Sequence, residues 1–95
     1  MGGWTYIMAS ARNGTLYVGV TADISRRGYE HREGGGSAFC RRYGVGRLVW
    51  MEWFEEIGDA IRREKRLKKW PRAWKVQLIE ADNPTWDDLY ERLNW

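Results

Sequence analysis

The chain has 95 residues, of which 43% are apolar and seven are tryptophan, so it can form one domain with a modest core and does not have the composition of a disordered protein. No stretch is apolar enough to span a bilayer, and the N-terminal residues lack the pattern of a secretory signal. The single cysteine, Cys40, excludes an intrachain disulfide and a multi-cysteine metal site, which fits a reducing compartment, so we expect a cytoplasmic protein.

The first twenty residues predict a β-hairpin. Two segments rich in β-branched and aromatic residues, Trp4–Met8 and Thr15–Val20, flank the turn signal Asn13-Gly14. Alternation in the second segment assigns Leu16, Val18 and Val20 to one face, which we expect to be the core.

The opposite face of this hairpin carries two tyrosines, Tyr6 and Tyr17. They share a face if the loop has an even number of residues. A loop over Ser10–Asn13 would place them directly opposite each other, whereas a two-residue turn at Asn13-Gly14 would offset them along the face. The sequence leaves both registers open.

The rest of the chain predicts one more strand and several helices. Thr21 or Asp23 can cap the first helix, and Pro71 can open the fourth. The predicted elements are a helix to about Arg32, a flexible glycine loop over Gly34–Ser37, a short helix over Ala38–Arg42 ended by Gly44, a strand over Leu48–Phe54, and helices over Glu55–Lys69, Pro71–Glu80 and Trp86–Leu93, the last capped by Thr85.

Charge is distributed unevenly, although the net charge is only +3. Eight of the sixteen basic residues lie between Arg62 and Lys75, a looser basic group lies between Arg26 and Arg47, and the chain end is acidic. This asymmetry predicts one basic face that binds a phosphate backbone, although a solvated, lysine-rich helix would explain it equally well.

Glu64 lies within the apolar stripe of its predicted helix, which contains Ile57, Ala60, Ile61 and Leu67. A carboxylate on an inward face requires a cation or hydrogen bonds. It can be satisfied by an ion pair with Lys68 one turn later, or it can bind a metal ion.

Arg27 and His31 lie four residues apart and project from one helix face, with Gly28 leaving room beside them. The guanidinium group suits phosphate recognition, and the imidazole titrates near neutral pH. A surface histidine stacked on a neighbour is the alternative for His31.

The remaining candidates are mostly assigned to packing. A phenol is a poor base near pH 7 unless cations lower its pKa, so the tyrosines depend on Arg27 and on a metal ion to act in catalysis. Cys40 is interpreted as a small buried residue beside Phe39, and the tryptophans as core residues. Trp70 and Trp74 flank the basic segment, so one of them can stack on an unpaired base.

Together these residues resemble the GIY-YIG nuclease superfamily over nearly the whole chain, and they are most similar to its small stand-alone bacterial members. Only the tyrosine of the first signature is retained in Trp4-Thr5-Tyr6. The other matching segments are Tyr17-Val18-Gly19, then Thr21, Asp23, Ile24, Arg27 and His31, then Glu64 within Ala60–Lys65, and Asn83-Pro84 with Trp86, Asp88 and Leu89.

The resemblance implies a single nuclease domain over residues 1–95, with an α+β fold in which helices flank a small three-stranded antiparallel sheet. Glu64 would bind one Mg²⁺ or Mn²⁺ ion, and Arg27 would hold the scissile phosphate. Tyr6 would act as general base, assisted by Tyr17 and His31, although either tyrosine can take that role.

Further residues are expected around this site. Asn83 and Gly19 would support it, without direct chemistry. The basic residues expected to contact nucleic acid are Arg26, Arg63, Lys65, Lys68, Lys69 and Arg72.

The predicted function is metal-dependent hydrolysis of phosphodiester bonds by an endonuclease. We expect DNA rather than RNA as the substrate, either single-stranded or branched, no membrane partner, and a monomer. Two alternatives are a catalytically inactive module that binds nucleic acid and a nuclease that a partner protein directs to its substrate.

Overall fold

The computed structural model describes residues 1–32 and 37–93, and it describes residues 31 and 32 without their side chains. The predicted glycine loop at residues 34–36 therefore lies outside the described residues. In chain order the elements are β1 (Gly3–Ala9), β2 (Leu16–Thr21), α1 (Ile24–Arg32), α2 (Ala38–Tyr43), β3 (Arg47–Phe54), α3 (Ile57–Lys69), α4 (Arg72–Asp82) and a 3₁₀ helix (Leu89–Arg92).

The three strands form one antiparallel sheet in the order β2-β1-β3, flanked by helices, which confirms the predicted α+β fold class. β1 lies in the centre, and its residues from Thr5 to Ala9 are buried. β2 is one edge strand and β3 is the other. Both faces of β1 are therefore covered, and solvent reaches the sheet mainly along its edges.

Two hydrophobic clusters pack on opposite faces of the sheet. One contains Ile7 and Val18 together with Leu67 of α3 and Ile79 of α4. The other contains Tyr6 and Met8 with side chains that include Ile24, Cys40 and Leu89. The predicted core role of Val18 and the buried position of Cys40 are both observed, and the two clusters pack the helices onto both faces of the sheet.

The hairpin loop has a register between the two that the sequence left open. Ala9 pairs with Leu16, so six residues separate the strands, and the Thr15 amide donates to Ser10 Oγ at 2.9 Å. Asn13 lies within this loop with φ of 59°. Tyr6 consequently pairs with Gly19, and it lies diagonal to Tyr17 on one face instead of directly opposite it.

The helix ends follow their local sequence in most places. Asp23 Oδ1 accepts from the Arg26 amide at 3.1 Å at the start of α1. Ser37 caps α2, and Gly44 ends it in the left-handed conformation with φ of 65°. The predicted start of α3 at Glu55 is wrong by two residues, because the chain is still bending before Ile57.

The predicted last helix over Trp86–Leu93 is wrong. Trp86 has φ of 58°, which is incompatible with a helix, and its buried indole donates to Glu80 Oε2 at 2.7 Å. Asp88 replaces Thr85 as the cap, with its Oδ1 accepting from the Tyr90 amide at 3.1 Å, and only the short 3₁₀ helix follows. In the part of the chain that the structure describes, no helix combines the length and apolar character needed to cross a membrane.

Candidate active site

The candidate site lies where α3 crosses the exposed edge of the sheet at β2. One cleft contains Ile61 together with Val20 and Thr21, and a second contains Lys68 together with Leu16 and Val18. Helix and strand therefore run antiparallel here. The two turns of α3 from Ile61 to Lys68 contain Glu64, which is thereby positioned opposite the middle of β2, between the two clefts.

Glu64 is a largely buried carboxylate with a nearby cation. Its side chain is 16% exposed, and Oε2 lies 3.5 Å from Lys68 Nζ. The ion pair that the sequence offered as one alternative is thus present. At this distance, and with Lys68 half exposed, the pair leaves oxygen lone pairs on Glu64 available to another cation.

The two tyrosines differ in their access to solvent. Tyr6 is 1% exposed, whereas Tyr17 is half-buried and lines the second cleft. Their ring centroids lie 6.4 Å apart, so both phenols belong to one site.

The electrostatic environment of Tyr6 identifies its neighbours. Burial raises the pKa of the Tyr6 phenol well above its ordinary value, while the Arg27 guanidinium acts in the opposite direction. Tyr17, Cys40 and Glu64 raise this pKa further. Three of the other predicted catalytic residues, Tyr17, Arg27 and Glu64, therefore lie within electrostatic reach of Tyr6.

Gly19 provides the space that the Tyr6 ring occupies. A Cβ atom at Gly19 would lie 2.5 Å from Tyr6 Cζ, and the neighbouring strand fixes both residues in register. We expect Gly19→Ala to destabilise the fold by about 1–3 kcal/mol, because the buried phenol has to move. Chemical denaturation measures this loss.

Gly58 provides the matched control for that substitution. A Cβ at Gly58 would meet only the Arg62 side chain, at 3.7 Å, and the residue lies within α3. Gly58→Ala should therefore be neutral or stabilising by up to about 1 kcal/mol, since alanine favours helix. Equal stability losses in the two variants would contradict the role assigned to Gly19.

Arg27 lies in the first cleft, which has a volume of about 490 Å³. Its Nε atom is buried and has no hydrogen bond within the described residues, and it lies 3.7 Å from Glu30 Oε1. The side chain is 41% exposed, so the guanidinium group reaches solvent and can hold an anion. Ile61, which the sequence placed in the inward stripe, is 37% exposed and lines this cleft.

The α1 surface near Arg27 is only partly described. His31 belongs to α1, but its side chain lies outside the described residues, so its proposed role stays a prediction. Gly28 does not leave the free space expected beside it. A Cβ there would lie 2.5 Å from Tyr90 Cδ1, because the 3₁₀ helix packs against α1 at this point.

The second cleft contains residues that sequence reasoning did not assign to a site. It has a volume of about 310 Å³, and Phe39 and Lys75 line it beside Tyr17 and Lys68. Phe39 is 43% exposed, and its ring centroid lies 6.0 Å from that of Tyr17. The sequence does not show that Phe39 is exposed, so only the packing of α2 against β2 identifies Phe39 as a residue of this cleft.

The predicted nucleic-acid contacts fall into two groups. Arg63 Nε pairs with Glu52 Oε1 at 3.1 Å, and Arg72 donates to the Asn13 and Gly14 carbonyls at 2.9 and 2.7 Å. Both cations therefore have partners within the fold. The remaining candidates are exposed side chains on α1 and α3, of which Lys68 is paired with Glu64, and they are Arg26, Lys65, Lys68 and Lys69.

Asn83 is buried away from the β2 edge. Its Nδ2 donates to the Val49 and Asp87 carbonyls at 3.1 and 2.9 Å, and its Oδ1 accepts from the Asp87 amide at 2.9 Å. Since Val49 belongs to β3, these bonds attach the C-terminal segment to the opposite edge of the sheet. The structure thus shows Asn83 in support of the fold, and its role at the site stays a prediction.

The donor atoms at the site fit a hard divalent cation held by a single protein ligand. Within residues 1–32 and 37–93, no group of three or more histidine, cysteine, aspartate or glutamate side chains could hold a metal ion. Glu64 supplies the carboxylate on α3, and Asp23 and Glu30 line the first cleft beside Arg27. Mg²⁺ commonly binds proteins through one or two carboxylates, with water and substrate phosphate completing its shell.

Comparisons with known proteins identify relatives of this chain. A UPF0213 protein of Aeromonas hydrophila is 38% identical over 76 residues, which cover 80% of this chain and 56% of that protein. The chain likewise covers 63% of a UPF0213 protein of Aeromonas salmonicida, so it spans less than two thirds of both relatives. A UPF0213 protein of Clostridium perfringens is 31% identical over 91 residues, which cover 96% of this chain and 97% of the relative.

A solved structure and a family model are also similar. The solution NMR structure of a UPF0213 protein from Bacillus halodurans has a TM-score of 0.58 and 30% identity, covering 99% of this chain and 98% of that one. The model described as the GIY-YIG catalytic domain matches residues 2–77, which include every predicted catalytic residue but not Asn83. The chain therefore belongs to the GIY-YIG catalytic domain family.

Proposed function

We propose that this chain is a metal-dependent endonuclease that hydrolyses phosphodiester bonds, with DNA as the preferred substrate. The observation that supports this most strongly is the convergence of a carboxylate, a guanidinium group and two phenols at the β2 edge. Family membership makes nuclease activity the expected chemistry. The proposal of DNA as the substrate rests on charge alone, because exposed cations lie on α1 and α3.

The phosphate would be held by Arg27. Its guanidinium group faces the first cleft, and its buried Nε has no hydrogen bond within the described residues, so a phosphate oxygen can complete its bonding. The ion pair with Glu30 at 3.7 Å is long and partly exposed, and it can yield to a phosphate. Arg27 would then offset the negative charge that develops in the transition state.

Glu64 would hold one Mg²⁺ or Mn²⁺ ion. When bound, such an ion stabilises charge on the leaving oxygen and lowers the pKa of bound water. Lys68 would release Glu64 for this purpose, because its ion pair at 3.5 Å is half exposed.

We assign the general base to Tyr17 and a positioning role to Tyr6. This reverses the division favoured from sequence, for a physical reason. The Tyr6 phenol is buried and its pKa is raised, which opposes loss of its proton, whereas Tyr17 lines an open cleft beside Lys68. A base has to reach the attacking water, and of the two phenols Tyr17 has that access.

The test is a cleavage panel with purified protein. Single-stranded DNA, duplex DNA, branched DNA and RNA are each incubated with Mg²⁺, with Mn²⁺ and with a chelator. We expect internal cleavage of at least one DNA substrate that the chelator abolishes. Binding without product on any substrate would instead support the inactive binding module, and cleavage that requires a second protein would support the partner-directed nuclease.

A further inference from the structure

A groove lined mainly by residues of α4 contains none of the predicted catalytic residues. It has a volume of about 360 Å³, and Trp70, Trp74, Gln77 and Leu78 line it. Trp74 is 54% exposed, which is unusual for so large an apolar side chain, and Gln77 is also exposed.

The position of Trp70 in this groove is fixed by neighbouring side chains. The Arg63 guanidinium lies 5.3 Å from the Trp70 ring centroid and 5.7 Å from that of Trp50, and Glu52 holds Arg63 at 3.1 Å. Trp74 then packs against Trp70 edge to face, with ring centroids 5.7 Å apart and an interplanar angle of 80°. The two indoles form a preorganised corner that loses little conformational freedom when a ligand binds.

The groove and the second cleft of the active site are both lined by residues of α4. Lys75 follows Trp74 in α4, and it lines the cleft that contains Tyr17 and Lys68. A strand that leaves the active site past Tyr17 would meet the ammonium group of Lys75 and then the exposed face of Trp74. The order of these groups, cation and then aromatic corner, matches a phosphate followed by its base.

We propose that this groove binds an unpaired nucleobase of the substrate strand beside the scissile bond. The base would stack on Trp74, and the Gln77 amide, which both donates and accepts, would bond its polar edge. This inference rests on the proposed nuclease function. It specifies the substrate class further, because a base within an intact duplex is already stacked and cannot enter the groove.

The experiment measures binding apart from cleavage. Glu64→Gln protein is titrated with a labelled single-stranded DNA oligonucleotide and with the matching duplex, and affinity is followed by anisotropy. Adding Trp74→Ala should weaken single-strand binding between about 5-fold and 100-fold and leave duplex binding nearly unchanged. Trp74→Phe should retain most of the affinity, and Gln77→Ala should lose less than Trp74→Ala.

Trp53 supplies the matched control, since it is 49% exposed and lies on β3. Trp53→Ala should leave single-strand affinity unchanged. Equal affinity for single-stranded DNA in the Trp74→Ala and parent proteins would overturn the proposal. If Trp74→Ala instead abolished self-association and left DNA binding intact, the groove would be assigned to a second copy of the chain. Failure of the wild-type protein to cleave any substrate would contradict the nuclease function but not the base-binding groove.

Discussion

Glu64→Gln is expected to reduce metal-dependent cleavage by about 10³-fold or more while the fold is retained. The substitution keeps the shape of a side chain that is only 16% exposed, but it removes the carboxylate charge at the β2 edge. Loss of a metal ion that stabilises the leaving oxygen removes several kcal/mol of transition-state stabilisation, and about 4 kcal/mol corresponds to 10³-fold in rate. Single-turnover cleavage of DNA in Mg²⁺ measures the effect.

A binding measurement tests metal binding by Glu64 separately from catalysis. Calorimetric titration with Mn²⁺ should show one site in the wild-type protein and none in Glu64→Gln. Glu55→Gln is the matched control, because it removes an exposed carboxylate that precedes α3. Cleavage by Glu64→Gln at the wild-type rate would exclude Glu64 as the metal ligand, and so would unchanged Mn²⁺ binding.

Tyr17→Phe is expected to lower kcat by about 10²- to 10⁴-fold, which is the usual contribution of a general base. Tyr6→Phe should cost less than Tyr17→Phe, because the buried Tyr6 phenol resists ionisation and serves to position its neighbours. The pH dependence of kcat distinguishes the two roles. The rise in rate with pH that reports ionisation of the base should disappear in Tyr17→Phe and persist in Tyr6→Phe.

Tyr29→Phe is the control for loss of a phenol, since Tyr29 is 56% exposed on α1. We expect its rate and pH profile to match those of the wild-type protein. If kcat fell further in Tyr6→Phe than in Tyr17→Phe, and if Tyr6→Phe also lost the pH-dependent rise in rate, Tyr6 would be the general base.

Most of the secondary structure was predictable because local patterns determine it. Period-two alternation marked the strands, and capping residues such as Asp23 and Gly44 marked helix ends. The hairpin register was not predictable, because Asn13-Gly14 locates a turn without fixing the number of residues around it. Trp86 in a left-handed conformation was also beyond local rules, since the buried Asn83 bonds and the indole bond to Glu80 hold it there.

The candidate site was predictable as a set of residues but not as a surface. Resemblance selected Tyr6, Tyr17, Arg27 and Glu64, and the last three lie within electrostatic reach of Tyr6. Which phenol faces a cleft depends on the packing of α2 and α3 around β2, and this packing is absent from the local sequence. The same is true of Phe39 and Lys75, whose place beside Tyr17 arises only from tertiary contacts.

The hydrogen bonds of Arg72 to the hairpin loop change how the basic segment should be interpreted. Arg72 holds the Asn13 and Gly14 carbonyls and thereby braces the turn between the two tyrosine-bearing strands. Exposed cations such as Lys65 and Lys69 would release counterions on binding DNA, so their loss reduces the salt dependence of affinity. Arg72, although a neighbour in sequence, also contributes through the internal geometry of the hairpin, because it donates to backbone carbonyls of the loop.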